Sequence, residues 1–479
     1  MTEPAAWLIL LPLLWASAAF LAGPGRGARL AIAAQALQLV LSMVVARNVR
    51  GGSALHAAGG WPAPLGIELV IDGLAATMLL LTQVIVLPLV IYARSYFAVH
   101  PEGSRGFWPL AGFLVAAMNA LFLSADIFNL YVTLELLGLA AVGLVASGGG
   151  AAALAAALRY LFVTLAASGA YLLGVALVYG AYGTVSLRLL APLLAQGPAD
   201  AAVLGAGLMV AGLLFKTALF PFHGWLPPAH GGAPAPVSAL LSALVVKATF
   251  YLLLRLWTSA GAPLASAPAG LVLGLLGAAA IGWGSVMALR QQRLKMLVAY
   301  STVAQVGYLF MVFPLLAGAG PDASRAASGA IVLQAVAHGL AKAAMFAAAG
   351  AVAVSAGHDV VARLGGLAAQ RPVTLFAFGL AGVTLIGLPP SAGFLSKWLL
   401  IERALAAGLW PLAAVILAGG LLTAAYVFKV LRHAFGHAAP GVAYQRLPRT
   451  LEWPALWLAL ASMALGLYAS PLLDLAGLR

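Results

Sequence analysis

Four lysines, Lys216, Lys247, Lys342 and Lys397, lie inside apolar runs long enough to cross a bilayer. A charged side chain at the bilayer centre costs about 2.5–3.5 kcal/mol on insertion scales, so such residues mark ion or proton pathways. Of the 12 acidic residues, only Glu135, in DIFNLYVTLELLGLAAVGL, falls deep in such a run; Asp72 and Asp126 fall at run ends. A lysine in a low-dielectric interior loses affinity for its proton, and a nearby carboxylate restores it. Moving that carboxylate would switch the lysine between holding and releasing a proton. Lys216, two spans after Glu135, is the natural partner, and Lys247 the next carrier. The plainer readings are an ion pair that locks two helices and, for Lys247, snorkelling to an interface, which its apolar flanks disfavour.

His338 and Lys342 are four apart in VLQAVAHGLAKAAMF and so share one helix face. Histidine titrates near neutral pH and can pass protons between neighbours, although a membrane histidine can also be a packing residue. Lys397, in GLPPSAGFLSKWLL, has Glu402 and Arg403 one turn on, which suits an exit group or an interfacial anchor. His223 and His230 flank WLPP in the stretch FKTALFPFHGWLPPAHGGAPAPVSALLSALVVK (215–247). They suit either relay or satisfaction of a broken backbone. No third ligand lies near them for zinc, so no metal is expected. Nucleotide-binding loops, a nucleophile elbow and HExxH are absent, and no cofactor is expected.

The elements that must hold these groups are membrane spans. The 479 residues are 63% hydrophobic and 8% charged, more apolar surface than a soluble domain can hide. Cysteine is absent, which excludes thiolate-held clusters and disulfides in this chain. The net charge of +13 reads as a bias of basic residues to one membrane face rather than as a nucleic-acid surface.

Fourteen windows reach spanning length: 5–22, 29–46, 72–93, 107–123, 127–147, 158–181, 202–222, 237–257, 268–288, 297–317, 327–355, 373–400, 408–430 and 451–473. The first has no basic leader before it and reads as a span, not a signal peptide. Residues 47–70 are Gly/Pro-rich, extramembrane and without a helical pattern. Fourteen basic residues, among them Arg290, Arg293 and Lys295, fall on one face, and seven, among them Arg47, Arg50, Arg188 and Arg479, on the other; the four lysines complete the 25. The richer face is then cytoplasmic and both termini are outside. The triplet Arg290, Arg293 and Lys295 reads as topological.

Window seven runs into Pro221 and window twelve contains Pro389 and Pro390, so both helices should break, with freed carbonyls lining a wet cavity. Five windows separate the breaks. Windows four to eight and nine to thirteen would be inverted repeats. The chain then divides into 1–106 (three helices), 107–258 (first bundle), 259–435 (second, inverted bundle) and 436–479 (a last helix).

At these residues the sequence resembles the antiporter-like membrane subunits shared by Mrp-type cation/proton antiporters, respiratory complex I and group 4 membrane hydrogenases. The resemblance rests on Glu135, the 215–247 block, KMLVAYSTVAQVGY (295–308), HGLAKAAMF (338–346) and GLPPSAGFLSKW (387–398), and it begins at IDGLAATMLLL (71–81). It implies two half-channels of five helices meeting on a polar axis. Glu135 and Lys216 would be the first pair, Lys247 the central lysine, His338 and Lys342 the bridge, and Lys397 the exit. It also implies other membrane subunits as partners and a bacterial or archaeal cell membrane as location. DIFNLYVTLELL looks like the D-type Mrp subunit or the hydrogenase subunits, while the length and Lys397 also suit the shorter complex I subunit. The chain stops where the longest members carry a lateral helix, which disfavours that branch. The expected function is proton or cation translocation in a Na⁺(K⁺)/H⁺ antiporter. The alternatives are a proton-pumping subunit of a redox complex, a structural scaffold, and a subunit coupled to an inorganic-carbon-handling partner.

Overall fold

The computed structural model describes residues 3–49, 52–438 and 443–478, so Arg50 and Arg479 of the charge count lie outside the described residues. The fold is all-α apart from one hairpin. The first helix, α1 (Glu3–Val49), covers the first two windows and is broken at Gly23, whose φ of 75° suits glycine, before Pro24. Its two arms pack together. Pro12 has no N–H to give the Leu8 carbonyl, and the amides of Gln38 and Asn119 supply that bond instead. Gln83 donates to Asn119, and these fully buried amides knit α1 to the next two helices.

Within the stretch that carries no helical pattern, residues 54–71 form an antiparallel hairpin of β1 (Ala54–Ala57) and β2 (Glu68–Ile71), in register Ala54↔Ile71. Glu68 in β2 holds Arg188 at 2.9 Å and so ties the hairpin to a segment 120 residues further along the chain.

After the hairpin come α2 (Gly73–Val99), α3 (Ser104–Leu123), α4 (Ile127–Ala146), α5 (Gly150–Tyr182), the short α6 (Leu187–Ala195) and α7 (Asp200–Lys216). Beyond α7 come α8 (Leu226–Gly232), α9 (Ala235–Leu240) and α10 (Val246–Thr258). The second half has α11 (Ala267–Arg290), α12 (Leu294–Phe310), α13 (Phe313–Leu316) and α14 (Pro321–Ala356). It continues through α15 (Leu367–Gln370), α16 (Pro372–Ile386), α17 (Ala392–Ala406) and α18 (Trp410–Ala434) to α19 (Arg449–Leu467) and α20 (Ser470–Leu475). Among the described residues, 11 helices are long and apolar enough to cross a membrane. Windows seven and twelve are not among them because each is broken.

Both breaks fall where the prolines place them. At the first, α7 stops at Lys216, Ala218 takes a left-handed φ of 56°, and a cis Phe220–Pro221 bond precedes a 3₁₀ turn. Trp225 of that turn donates to the freed Phe215 carbonyl and stacks on Tyr160 at 4.1 Å. At the second, α16 ends at Gly387 (φ 88°), a cis Pro389–Pro390 bond follows, and Ser391 caps α17. Window eight holds a feature that apolar periodicity does not reveal: a π-turn, Leu241–Val245, lies between α9 and α10, one turn before Lys247. The centre of the molecule is α14, which packs on α2, α9, α12, α16, α17 and α19. Its run of alanines and glycines lets those backbones come close.

Candidate functional site

The breaks and the π-turn each deliver one lysine to a single buried polar row. At the first break, Lys216 Nζ donates to Thr164 Oγ1 at 2.7 Å, Glu135 Oε1 at 3.2 Å and the Leu134 carbonyl at 3.4 Å. Lys216 comes from α7, Glu135 from α4 and Thr164 from α5, so three helices converge on one ammonium. Ser168, one turn after Thr164, donates to the same Glu135 oxygen. Lys216 is 6% exposed and Glu135 18%, so the carboxylate is the more accessible partner.

A cavity of about 10 Å³, the size of one water, lies between Lys216 and Thr164 on one wall and Val245 and Thr249 on the other. Thr217 donates to Thr249 at 3.0 Å, which couples the end of α7 to α10. Lys247, fully buried on α10, turns back to the Ser242 carbonyl within the π-turn. The Ser242 hydroxyl pairs with Thr302 of α12 at 2.8 Å, and Thr302 donates to the Val298 carbonyl at 3.2 Å. Lys342 Nζ reaches that same carbonyl from α14 at 2.6 Å, and Ser301 Oγ at 2.6 Å. Ser242, through its carbonyl to Lys247 and its hydroxyl to Thr302, and the Val298 carbonyl, which Thr302 and Lys342 share, thus place Lys247 and Lys342 on one polar cluster across three elements.

On α14, Gln334, His338 and Lys342 fall at intervals of four and form one stripe. His338 is within electrostatic reach of Lys247, Lys342 and Lys397, and neither of its ring nitrogens has a hydrogen-bond partner among the described residues. Gln334 accepts from Ser396 at 2.5 Å, next to Lys397. Lys397 itself donates to the Leu385 and Ile386 carbonyls at 2.7 and 3.1 Å. These are the carbonyls that the second break frees, at the negative end of α16. The ammonium also sits 4.1 Å from the centre of the Tyr308 ring.

The expected residues divide accordingly. Glu135, Lys216, Lys247, His338, Lys342 and Lys397 are brought into one row. Lys397 is buried, which does not suit an interfacial anchor, and Glu402 and Arg403 pair with each other at 2.8 Å rather than with it. His223 leaves the row: its Nε2 accepts from Trp283 of α11 at 3.0 Å. His230 is fully buried and stacks on Phe346 at 4.7 Å, one turn beyond Lys342. Lys295 is also more than a topological charge, since it turns inward to the Ala233 carbonyl. Thr164, Ser168, Ser242, Thr249, Thr302, Gln334 and Tyr308 were not singled out from sequence. Their signal was available as polar residues one turn apart in apolar helices, as at Thr164 and Ser168. No group of three metal-ligating side chains occurs among the described residues.

Residues 124–423 match the family described as NADH:quinone oxidoreductase/Mrp antiporter, transmembrane. The chain belongs to that family. It is 38% identical over 461 residues to the N-type subunit of the NADH-quinone oxidoreductase of Desulforudis audaxviator, covering 91% of this chain and 90% of that one. It is 32% identical over 400 residues to the D-type subunit of the Na⁺/H⁺ antiporter of Alkalihalophilus pseudofirmus, covering 83% and 79%. Its fold superposes on a chain of the Mrp complex from Dietzia sp. DQ12-45-1b with a TM-score of 0.89 at 27% identity, covering 100% of this chain and 97% of that chain. The chain is a multi-pass, antiporter-like membrane subunit, and its relatives work inside multisubunit membrane complexes.

Proposed function

We propose that the chain translocates protons along its buried lysine row as the proton/cation-translocating subunit of a multisubunit Na⁺(K⁺)/H⁺ antiporter. The observation that carries this reading is the buried Lys216–Glu135 pair, beside a one-water cavity that reaches Val245 and Thr249 next to Lys247, with Lys247 and Lys342 held in one polar cluster beyond it. Residues 107–258 and 259–435 are the two half-channels, inverted with respect to each other, with 1–106 and 436–479 as flanking helices. Protons load at Lys216 and pass through Lys247 and the Lys342–His338 stripe to Lys397. Both termini face outward from a bacterial or archaeal cell membrane. The similarity to the D-type antiporter subunit and to the Mrp complex chain supports exchange with a cation.

A second reading, a pumping subunit of a redox complex, is favoured by the 38% identity to a quinone oxidoreductase subunit and uses the same row. Inverted vesicles holding the native complex separate the two. Collapse of a pH gradient on adding Na⁺ or K⁺ without an electron donor, lost in Glu135→Ala, is expected for the antiporter. A gradient that forms only with a donor and ignores both cations would overturn it in favour of the redox pump.

A further inference from the structure

An apolar groove of about 490 Å³ runs between α16 and α18 on the outer surface of the second half. Its walls are residues such as Phe376, Leu380, Val383, Val427 and Leu431, and its far end is Ile386 and Leu388, at the second break. Its near end, at Ala368 and Phe435, merges with an open basic cleft of about 540 Å³. The two cavities share Phe428, Leu431 and Phe435, and the cleft adds Lys429, Arg432 and His433 with no acidic residue. Lys429 is engaged by the Leu289 and Gln291 carbonyls, whereas Arg432 is exposed and has no partner among the described residues.

The groove is long enough to take an acyl chain through one leaflet. The α16 wall spans 15 residues, about 22 Å at 1.5 Å per residue, against about 15 Å for half the hydrocarbon core. A second apolar groove of about 550 Å³, between α5, α7, α10 and α11, has no charged residue in its lining. The α16–α18 groove alone of the two combines an acyl-length channel with a cationic mouth, as basic pockets between spans do where they hold acidic headgroups. We infer that this groove binds an anionic phospholipid, with an acyl chain along α16 and its phosphate at Arg432 and His433. The chain's end would then cover Leu388 and seal the second break against lateral leakage, which is independent of which ion the row carries.

The test is native mass spectrometry of the intact complex after reconstitution in phosphatidylcholine bilayers with or without phosphatidylglycerol. One phosphatidylglycerol per chain should survive transfer into detergent. Arg432→Gln should lower its retention about fivefold, the weight of one basic residue at an acidic surface. Gly379→Leu, whose side chain would enter the groove where a β-carbon meets only Leu431 at 4.0 Å, should remove it by filling the space. Equal retention of phosphatidylcholine would overturn the proposal, as would retention unchanged by both substitutions. A cross-link from Phe428→Cys to another subunit in the native complex would also overturn it, because a protein helix would then occupy the groove.

Discussion

At the first break the ammonium of Lys216 meets a carboxylate; at the second, that of Lys397 meets two main-chain carbonyls and the face of Tyr308. The partners differ in how they can move. Glu135 belongs to a separate helix, α4, and its side chain can swing away without disturbing α7. The Leu385 and Ile386 carbonyls are the end of α16 itself and stay where the break leaves them. At 3.2 Å the Lys216–Glu135 attraction is on the order of 5 kcal/mol at an effective dielectric of about 20, falling to about 2 kcal/mol at about 8 Å. The difference of about 3 kcal/mol changes an equilibrium more than a hundredfold. On the proposed relay, a change of the carboxylate's rotamer would suffice to gate the first lysine. The second lysine has a fixed bed of dipoles and must take its state from its neighbours. On the proposed relay, Lys216 is the switched site and Lys397 the passive outlet.

Four expected outcomes sharpen or break that contrast. Lys397→Met removes the outlet and should abolish proton flux in vesicles, while blue-native gels show a normally assembled complex. Glu135→Gln keeps the shape but removes the charge that is switched, and should reduce flux by about the hundredfold that the difference in attraction between the two positions represents. Flux close to wild type would mean that Lys216 needs no gate. Ser242→Ala or Thr302→Val breaks the 2.8 Å bridge between Lys247 and Lys342 and should slow flux several-fold, about the 1 kcal/mol of one hydrogen bond. The two together should cost no more than either alone. The smallest effect is expected outside the membrane. The Arg188 hydrogen bond holds the Glu68 carboxyl below its ordinary value of 4.5, so this pair stabilises the hairpin above that pH. The contribution is lost as pH falls through the lowered value. Hydrogen exchange over 54–71 should then rise at acid pH in wild type, and Arg188→Gln should remove that rise. Arg188 is half exposed, so solvent screens the pair and flux should not change.

Much of this was legible in the chain. Lysines in apolar runs announce themselves because their burial must be offset, and Pro221 and Pro389 mark the breaks because proline cannot donate. Glu135 was identifiable because almost no carboxylate sits at that depth. The π-turn was not legible, since LSALV has the same apolar content whether it closes α or π bonds, and only tertiary packing selects between them. The Ser242–Thr302 bridge shared that fate. Serine and threonine can satisfy their hydroxyls on their own helix, so nothing in the sequence says which ones reach across. His223 shows the limit from the other side: its position in the break suited either a relay or a structural role, and only tertiary packing places it against Trp283. The hairpin at 54–71 was missed because a two-stranded pair needs a surface beneath it, and that surface comes from residues such as Ser124 and Arg188 far along the chain.

The most direct measurement is proton flux in vesicles containing the complex with Lys216→Ala, its assembly checked in parallel. The row predicts a fully assembled complex with no flux, because the gated end of the path is gone. Normal flux in that variant would contradict the relay, and failure to assemble would make Lys216 a structural lock.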